Sequence, residues 1–534
     1  MPPLPFRLSA VCALFLAAGC GGDSDASPTG SADACAAFAR HTLADATLRT
    51  ETVTTGTAPS GAALVPHCRV TGSMHPRTGV DGKPYAIGFE LRLPDDWNGR
   101  FLFQGGGGND GVVRPALGTQ ATTSPALNQG YAVVSTDAGH EGTDASFGLD
   151  PQARVDHAYN SYDKVAVAAK DLIQAYYDKP TEYSYFIGCS GGGRQGMMFT
   201  QRFPDYFDGV IAMAPAMTVA RGAAIASAHS SIELTAIAPR NAEGAPILAK
   251  ALTNADLGVL RDGILAQCDA KDGLADGLVS NPAACQFDVK ALQCAPGQTD
   301  ACLTPQKVNT LARIFAEPRN SAGEALYAAW PWDAGVGHPA NDWRGWKLGT
   351  AEGPVPNARN VTLIGDAMAH EFFTPPQPDF NILDFDFDRD PPRMDAYAAI
   401  YNTAADARLD AFKAAGGKLL MATGMADPIF SPLETIDYFE RLQASHPADG
   451  ADFSRLFLIP GMAHCQGGAA TDRWDGLGAL SRWVEQKQAP DAIVASGTTV
   501  YPGRTRPLCA YPAYARYDGK GDPEKAESFQ CVTP

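Results

Sequence analysis

Residues 183–187 form a short apolar run that breaks into Gly188-Cys189-Ser190-Gly191-Gly192-Gly193, and residues 195–203 then take up helical spacing. A strand that turns at once into a helix leaves no room for side chains beside the residue at its corner, so only small residues can flank that position. The pattern Gly188-x-Ser190-x-Gly192 meets this demand and pushes one serine hydroxyl out of a sharp turn. A chain built around such a corner is held to α/β order, with strands feeding helices.

The neighbouring segments follow that order. Residues 85–93 alternate like a strand, 100–103 run into Gly105-Gly106-Gly107-Gly108, and 131–136 read as a β-branched strand ending at Asp137. Residues 162–177 read as a helix with Val165, Ala168, Ala169, Leu172 and Tyr176 on one face. From 217 to 404 the texture changes. This stretch holds four cysteines, four of the seven tryptophans and many Pro and Asp, and it lacks strand-helix alternation. It is expected to be an inserted lid domain. The order resumes with a strand at 418–423, a helix at 433–442, a strand at 455–459 and a helix at 477–484. The expected division is a core of residues 35–216 and 405–534, split by a lid at 217–404.

The N-terminus points to export. An apolar run at 8–18 follows Arg7, is too short to span a bilayer, and suits the hydrophobic region of a secretory signal over 1–20. It ends in Leu16-Ala17-Ala18-Gly19-Cys20, which resembles a bacterial lipoprotein cleavage site, so the expectation is lipid attachment at Cys20 as a membrane tether in the periplasm or at the outer membrane, with ordinary cleavage nearby and free secretion as the alternative. Residues 21–34 have the composition of a flexible tether. With 42 basic and 59 acidic side chains the formal charge is −17, which repels phosphate backbones and excludes nucleic acid as a partner. Without Cys12 and Cys20, ten of the twelve cysteines remain, an even number suited to five disulfides in an oxidising compartment. Proximity suggests Cys35 with Cys68, Cys268 with Cys285, Cys294 with Cys302 and Cys509 with Cys531, leaving Cys189 and Cys465 to each other. Spacing alone does not fix this connectivity.

A serine becomes a nucleophile only when a base removes its proton, and an acid must orient that base. Both are found downstream in the order Ser, Asp, His. Asp427 follows the strand at 418–423, and His464 follows the strand at 455–459. Asp384, Asp386 and Asp388 compete for the acid role but fall in the lid, where their alternation with Phe suggests a strand. Neither His140-Glu141 nor His370-Glu371 extends to a zinc-binding HExxH. An anionic intermediate needs backbone N–H donors, one from the residue after the nucleophile and one from an early strand-helix loop, and Gly191 and Gly108 fit those positions. In the lid, Asp269, Asp272 and Asp276 lie in a glycine-bent loop that is not an EF-hand. With the carbonyls of Leu274 and Leu278 it suits either a hard cation or a solvated acidic surface.

The constellation Cys189-Ser190, Asp427 and His464-Cys465 resembles the mark of the tannase and feruloyl esterase family. The likeness runs from about Cys35 to Cys531, through stretches such as Trp97-Asn98-Gly99-Arg100 and Arg504-Thr505-Arg506-Pro507-Leu508-Cys509. It implies an α/β-hydrolase core carrying a lid, a serine carboxylesterase acting on esters of aromatic acids (feruloyl, galloyl or terephthaloyl), all five cysteine pairs, and a structural Ca²⁺ in the acidic loop. It also implies aromatic substrate contacts at Trp346 and Phe430. One member of the family carries, at the position of Asn360, an arginine that grips a free substrate carboxylate. Here the arginine is Arg359, one residue earlier, so the grip is either shifted or lost. Ile364 and Gly365 replace a Phe and a Ser of that member's pocket. It also has a Glu in place of Gly191, so only the backbone role carries over there. A rival from another class is a catalytically idle hydrolase fold used as a surface-binding lipoprotein.

Overall fold

The computed structural model describes residues 32–353 and 355–534. The expected signal, Cys20 and most of the expected tether lie outside the described residues. The first described element is a helix, Ala32–Phe38, which begins before Cys35 and inside the segment expected to be a tether.

A nine-stranded sheet forms the body. It is built from β1 (Ala46–Val53), β2 (His67–Thr78), β3 (Pro84–Pro94), β4 (Arg100–Gln104), β5 (Ala132–Thr136), β6 (Tyr183–Cys189), β7 (Gly209–Met213), β8 (Lys418–Gly424) and β9 (Ser454–Ile459), in the order β1-β2-β3-β5-β4-β6-β7-β8-β9. β1, β2, β3 and β5 pair antiparallel, while β5, β4, β6, β7, β8 and β9 run parallel. Strand order reverses at β4, so the crevice between the carboxyl ends of β4 and β6 is the switch point at which open α/β sheets bind ligands. Those two ends are the four-glycine run and Ser190.

The central strands read as nearly continuous apolar runs because both faces are covered. On one face Phe103, Phe186 and Val210 pack against Val165 and Leu172 of helix Ser161–Tyr177 and Met198 and Phe199 of helix Gly191–Arg202. On the other, Leu102, Tyr185 and Ile211 pack against Leu477, Leu480 and Trp483 of helix Gly476–Gln486. Alternation along each strand thus feeds two cores.

The lid is the connection from β7 to β8. Among its described residues there is no strand, only helices such as Ala224–Ile237, Asn254–Cys268 and Pro305–Phe315 with short turns between them. Its apolar residues, including Ile225, Leu260, Leu311 and Trp343, form one cluster with Tyr85, Phe147 and Ala153 of the body and with Ile429 and Phe430 of the loop after β8. The Asp-Phe alternation at 384–388 is not a strand. Ile382–Asp384 is a 3₁₀ turn, and Asp386 Oδ1 accepts the N–H groups of Asp388 and Arg389, so the short carboxylate side chains satisfy local backbone and bend it.

After β9 come a three-stranded sheet, β10 (Arg473–Trp474), β11 (Ala492–Ser496) and β12 (Thr505–Cys509), and a hairpin, β13 (Tyr514–Tyr517) with β14 (Phe529–Val532). Five disulfides are present among the described residues: Cys35–Cys68, Cys189–Cys465, Cys268–Cys285, Cys294–Cys302 and Cys509–Cys531. No helix among the described residues is long and apolar enough to cross a membrane.

Candidate active site

Ser190 stands at φ 65°, ψ −123°, a conformation a non-glycine residue adopts only under constraint. The constraint is backbone on every side. Its N–H donates to Met213 O at 3.0 Å, and its carbonyl accepts the N–H groups of Arg194 and Ala216. A Cβ on Gly188 would come within 2.4 Å of the Gly192 carbonyl carbon, and one on Gly193 within 2.4 Å of Met213 O. The helix begins at Gly191, directly after the serine, rather than at residue 195, because only the glycines let it start inside the turn.

Asp427 follows β8 and is fully buried. Its Oδ1 accepts the N–H groups of Ile429 (2.9 Å) and Phe430 (3.1 Å), and its Oδ2 faces His464 Nδ1 at 2.7 Å. The indole N–H of Trp330 donates to the Asp427 carbonyl. With Nδ1 bound to the acid, Nε2 is the imidazole nitrogen left for the serine. Asp384, Asp386 and Asp388 take no part in this pairing; Asp386 and Asp388 are engaged with lid backbone. Cys189 and Cys465 link the residue before the serine to the residue after the histidine, closing a span of 276 residues.

Ser190, Gly191, Gly108 and His464 line one cavity of about 630 Å³ between core and lid. Gly108 has φ 65°, and a Cβ on Gly191 would lie 3.6 Å from Gly108 N, so the two residues meet at the head of the cavity. Gly191 N–H is at a helix start, where no intrahelical acceptor exists.

The lid supplies an apolar wall that includes Trp346, Leu363, Ile364 and Phe372, with Phe430 beside it. The rings of Trp346 and Phe430 meet His464 edge-on, at 5.6 and 5.3 Å between centroids. Arg359 also lines the cavity. Its guanidinium lies 5.0 Å from the Trp346 ring, pairs with Asp342, and is 45% exposed. Asn360 corrects the expectation of a substrate contact. It is fully buried, is absent from the cavity wall, and donates its amide to Ser230 Oγ at 3.1 Å inside the lid. A short π-helical turn, Asn360–Ile364, begins at this residue and turns it inward.

In the acidic loop each carboxylate is engaged with nearby backbone. Asp269 accepts the N–H groups of Asp276 and Gly277, Asp272 those of Leu274 and Ser280, and Asp276 that of Leu278. Asp276 also pairs with Arg506. Burial, with the charge of Asp276 nearby, raises Asp269 and pushes Asp272 up to about 6. Among the described residues no three His, Cys, Asp or Glu side chains converge as a metal cage.

One neighbour of the site carried no sequence signal. Lys347, next to Trp346, is buried with its ammonium 5.0 Å from the Trp330 ring, and burial lowers it to about 7 despite the Asp427 charge.

A mostly parallel sheet with a serine at a strained strand-helix corner, and an acid and a histidine after the next-to-last and last parallel strands, defines an α/β-hydrolase. The profile of tannase and feruloyl esterase matches residues 68–532, and the chain belongs to that family of ester hydrolases. It is 43% identical over 521 residues to a mono(2-hydroxyethyl) terephthalate hydrolase of Piscinibacter sakaiensis, covering 89% of this chain and 86% of the relative. It is 33% identical over 485 residues to a probable feruloyl esterase of Arthroderma benhamiae, covering 85% and 83%. The crystal structure of feruloyl esterase B from Aspergillus oryzae superposes with a TM-score of 0.77 at 26% identity, covering 94% of this chain and 99% of that one.

Proposed function

We propose that this protein is an exported carboxylesterase that hydrolyses esters of aromatic acids through Ser190, His464 and Asp427. The observation that carries the reading is the 2.7 Å pairing of His464 Nδ1 with buried Asp427, on the wall of the cavity that Ser190 enters. Ser190 Oγ attacks the ester carbonyl as His464 Nε2 takes its proton. The oxyanion is held by Gly108 and Gly191 N–H, and His464 returns the proton to the departing alcohol. Water, activated by the same histidine, then adds to the acyl-serine and releases the acid. The wall of Trp346, Phe430 and Ile364 gives a flat apolar seat for an aryl group. Five disulfides support an oxidising compartment, and the leader ending at Cys20 supports export with lipid anchoring.

The direct test is acid release, quantified chromatographically, from methyl gallate, methyl ferulate and mono(2-hydroxyethyl) terephthalate. Hydrolysis of at least one is expected; folded protein inert toward all three would refute the substrate class. The same panel reads Arg359, whose partial exposure lets its guanidinium leave Asp342 for a substrate carboxylate. Arg359→Ala is expected to raise KM for the terephthalate monoester about tenfold, the worth of roughly 1.4 kcal/mol, with methyl ferulate unaffected. An equal effect on both esters would remove the clamp role.

We further propose that the acidic loop holds a structural Ca²⁺. With Asp276 drawn to Arg506, the carboxylates of Asp269 and Asp272 and the carbonyls of Leu274 and Leu278 are the oxygen donors left to it. Burial, with a lesser contribution from the Asp276 charge, raises Asp269 and Asp272, and a bound cation would offset it by favouring the carboxylates. Chelation with EGTA is expected to lower Tm by about 3 °C, the scale for losing a ligand present at roughly 100 Kd from a protein of this size, and added calcium to restore it. A melting curve indifferent to both treatments would count against the site.

A further inference from the structure

The two glycine turns at the head of the cavity meet through backbone. A Cβ on Gly192 would come 2.7 Å from Gly106 O, and one on Gly191 3.2 Å from Gly107 Cα. Such contact limits how closely the turns approach but does not set the direction in which the amides of the four-glycine loop point. Side chains behind the loop can do that. Gly106 N–H donates to Gln195 Oε1 at 3.0 Å, and Gly107 N–H donates to Asp110 Oδ1 at 2.7 Å. The two acceptors are joined, with Gln195 Nε2 donating to Asp110 Oδ2 at 3.0 Å and to Tyr162 Oη at 2.9 Å. Gln195 and Tyr162 are fully buried and Asp110 is nearly so. A Cβ on Gly106 would fall 2.5 Å from Asp110 Oδ2, so the loop must be glycine to sit this close.

Gln195 lies four residues after Gly191 in the helix Gly191–Arg202, one turn along and on the same side. One rigid element therefore presents the Gly191 amide at its start and, a turn later, grips the loop that carries the Gly108 amide. We propose that Gln195 and Asp110 are positioning residues of the oxyanion hole, fixing the spacing and direction of the Gly108 and Gly191 donors before substrate arrives. This rests on the assignment of those two amides to the oxyanion made above. The pair touches neither substrate nor serine and acts through the loop. A hole of this kind works because its dipoles are already aimed when charge develops, so a loosened loop costs transition-state binding while leaving ground-state binding in place.

The hydrogen-bond polarity makes the test specific. Asp110→Asn leaves the outline of the site unchanged but turns a donor toward the Gln195 donor; if the glutamine amide flips to meet it, a donor faces Gly106 N–H instead. Gln195→Met removes all three Gln195 bonds, to Gly106, Asp110 and Tyr162. The double variant Gln195→Glu with Asp110→Asn restores an acceptor for Gly106, a donor facing an acceptor between the two side chains, and an acceptor for Gly107, with the same total charge. Kinetics use whichever of the three esters the wild type hydrolyses, together with binding of phenylboronic acid, which adds to a nucleophilic serine and mimics the tetrahedral intermediate, and of the free acid product.

Asp110→Asn and Gln195→Met are expected to lower kcat about 10- to 100-fold, less than the loss of an entire oxyanion donor, with KM and product affinity within about twofold and boronate affinity falling in step with kcat. The double variant is expected to regain at least about tenfold over Asp110→Asn, the coupling expected of side chains in direct contact. Equal losses of boronate and product affinity, an unchanged kcat, or a double variant no better than Asp110→Asn would overturn the positioning role. Partial unfolding lowers the number of active sites and cannot mimic a selective loss of boronate affinity. A wild type that ignores the boronate, with Ser190→Ala as active as wild type, would refute the serine assignment itself and is visible before any Gln195 or Asp110 variant is compared.

Discussion

Ser190→Ala is expected to lower kcat by about 10⁴- to 10⁶-fold, the range found when the nucleophile of a serine hydrolase is removed, while the melting temperature stays within about 1 °C of wild type, as for a change that removes no buried packing. The two halves of this result follow from different atoms. Everything that holds the corner together at residue 190 is main chain: its N–H on Met213 O and its carbonyl under Arg194 and Ala216. Alanine keeps all of it and bears the positive φ no worse than serine. What is lost is the one oxygen able to form the acyl-enzyme. The proposed oxyanion donors Gly108 and Gly191 and the walls of Trp346 and Phe430 remain, so a small residual rate and undiminished affinity for the free acid are expected. Chromatographic acid release, calorimetry and product titration check the three parts. Retention of more than about one hundredth of the wild-type rate, far above what hole and pocket alone supply, would show that another group attacks the ester.

Much of this site can be read from sequence because its constraints are local. Gly188, Gly192 and Gly193 have no side chain since a Cβ on any of them would strike backbone, and that exclusion is written in consecutive letters. Asp427 and His464 each stand just beyond a buried strand, so the rule that parallel sheets work at their carboxyl ends places them without knowledge of their partners. β1 and β2 escape such reading because they form the antiparallel edge of the sheet, where β1 is half exposed and carries Arg49, Thr50, Glu51 and Thr52 in a pattern that also suits a loop. In the lid, outside the helices Ala224–Ile237, Asn254–Cys268 and Pro305–Phe315, short helices, 3₁₀ turns and π turns replace each other every few residues, so no period lasts long enough to show there. Asn360 illustrates the consequence, since a single π turn decides whether it or Arg359 reaches the cavity. The buried polar groups are the least legible. Arg194 is fully buried against the carbonyls of His157, Ala158 and Tyr401, and Gln195 against Gly106 and Asp110, yet an Arg-Gln pair in a helix ordinarily signals a solvated face. Their partners come from segments far away in sequence, and only the assembled fold brings them together.

Asp427→Asn is expected to cost about 10⁴-fold in kcat, the loss seen when the acid of such a triad becomes an amide, although the substitution changes shape hardly at all. The reason lies in the two N–H groups that meet Oδ1. Ile429 and Phe430 both donate to that oxygen at 2.9 and 3.1 Å and both require an acceptor. An asparagine must therefore turn its carbonyl toward them, and its NH₂ is left facing His464 where Oδ2 stood at 2.7 Å. A donor there forces Nδ1 to become the acceptor and moves the imidazole proton to Nε2, the nitrogen that has to be bare to accept the serine proton. Flipping the amide would restore the histidine contact only by setting NH₂ against two buried N–H groups, which costs about 1–3 kcal/mol for each unsatisfied group. The fold has thus fixed the tautomer from behind, through backbone of the loop after β8. Phosphonate labelling of Ser190 is expected to slow in parallel with kcat, since both need the same proton transfer, whereas affinity for the free acid product is expected to stay at the wild-type value. Labelling at the wild-type rate would mean that His464 is not the base, and near-normal turnover would mean that Asp427 serves the loop rather than the histidine.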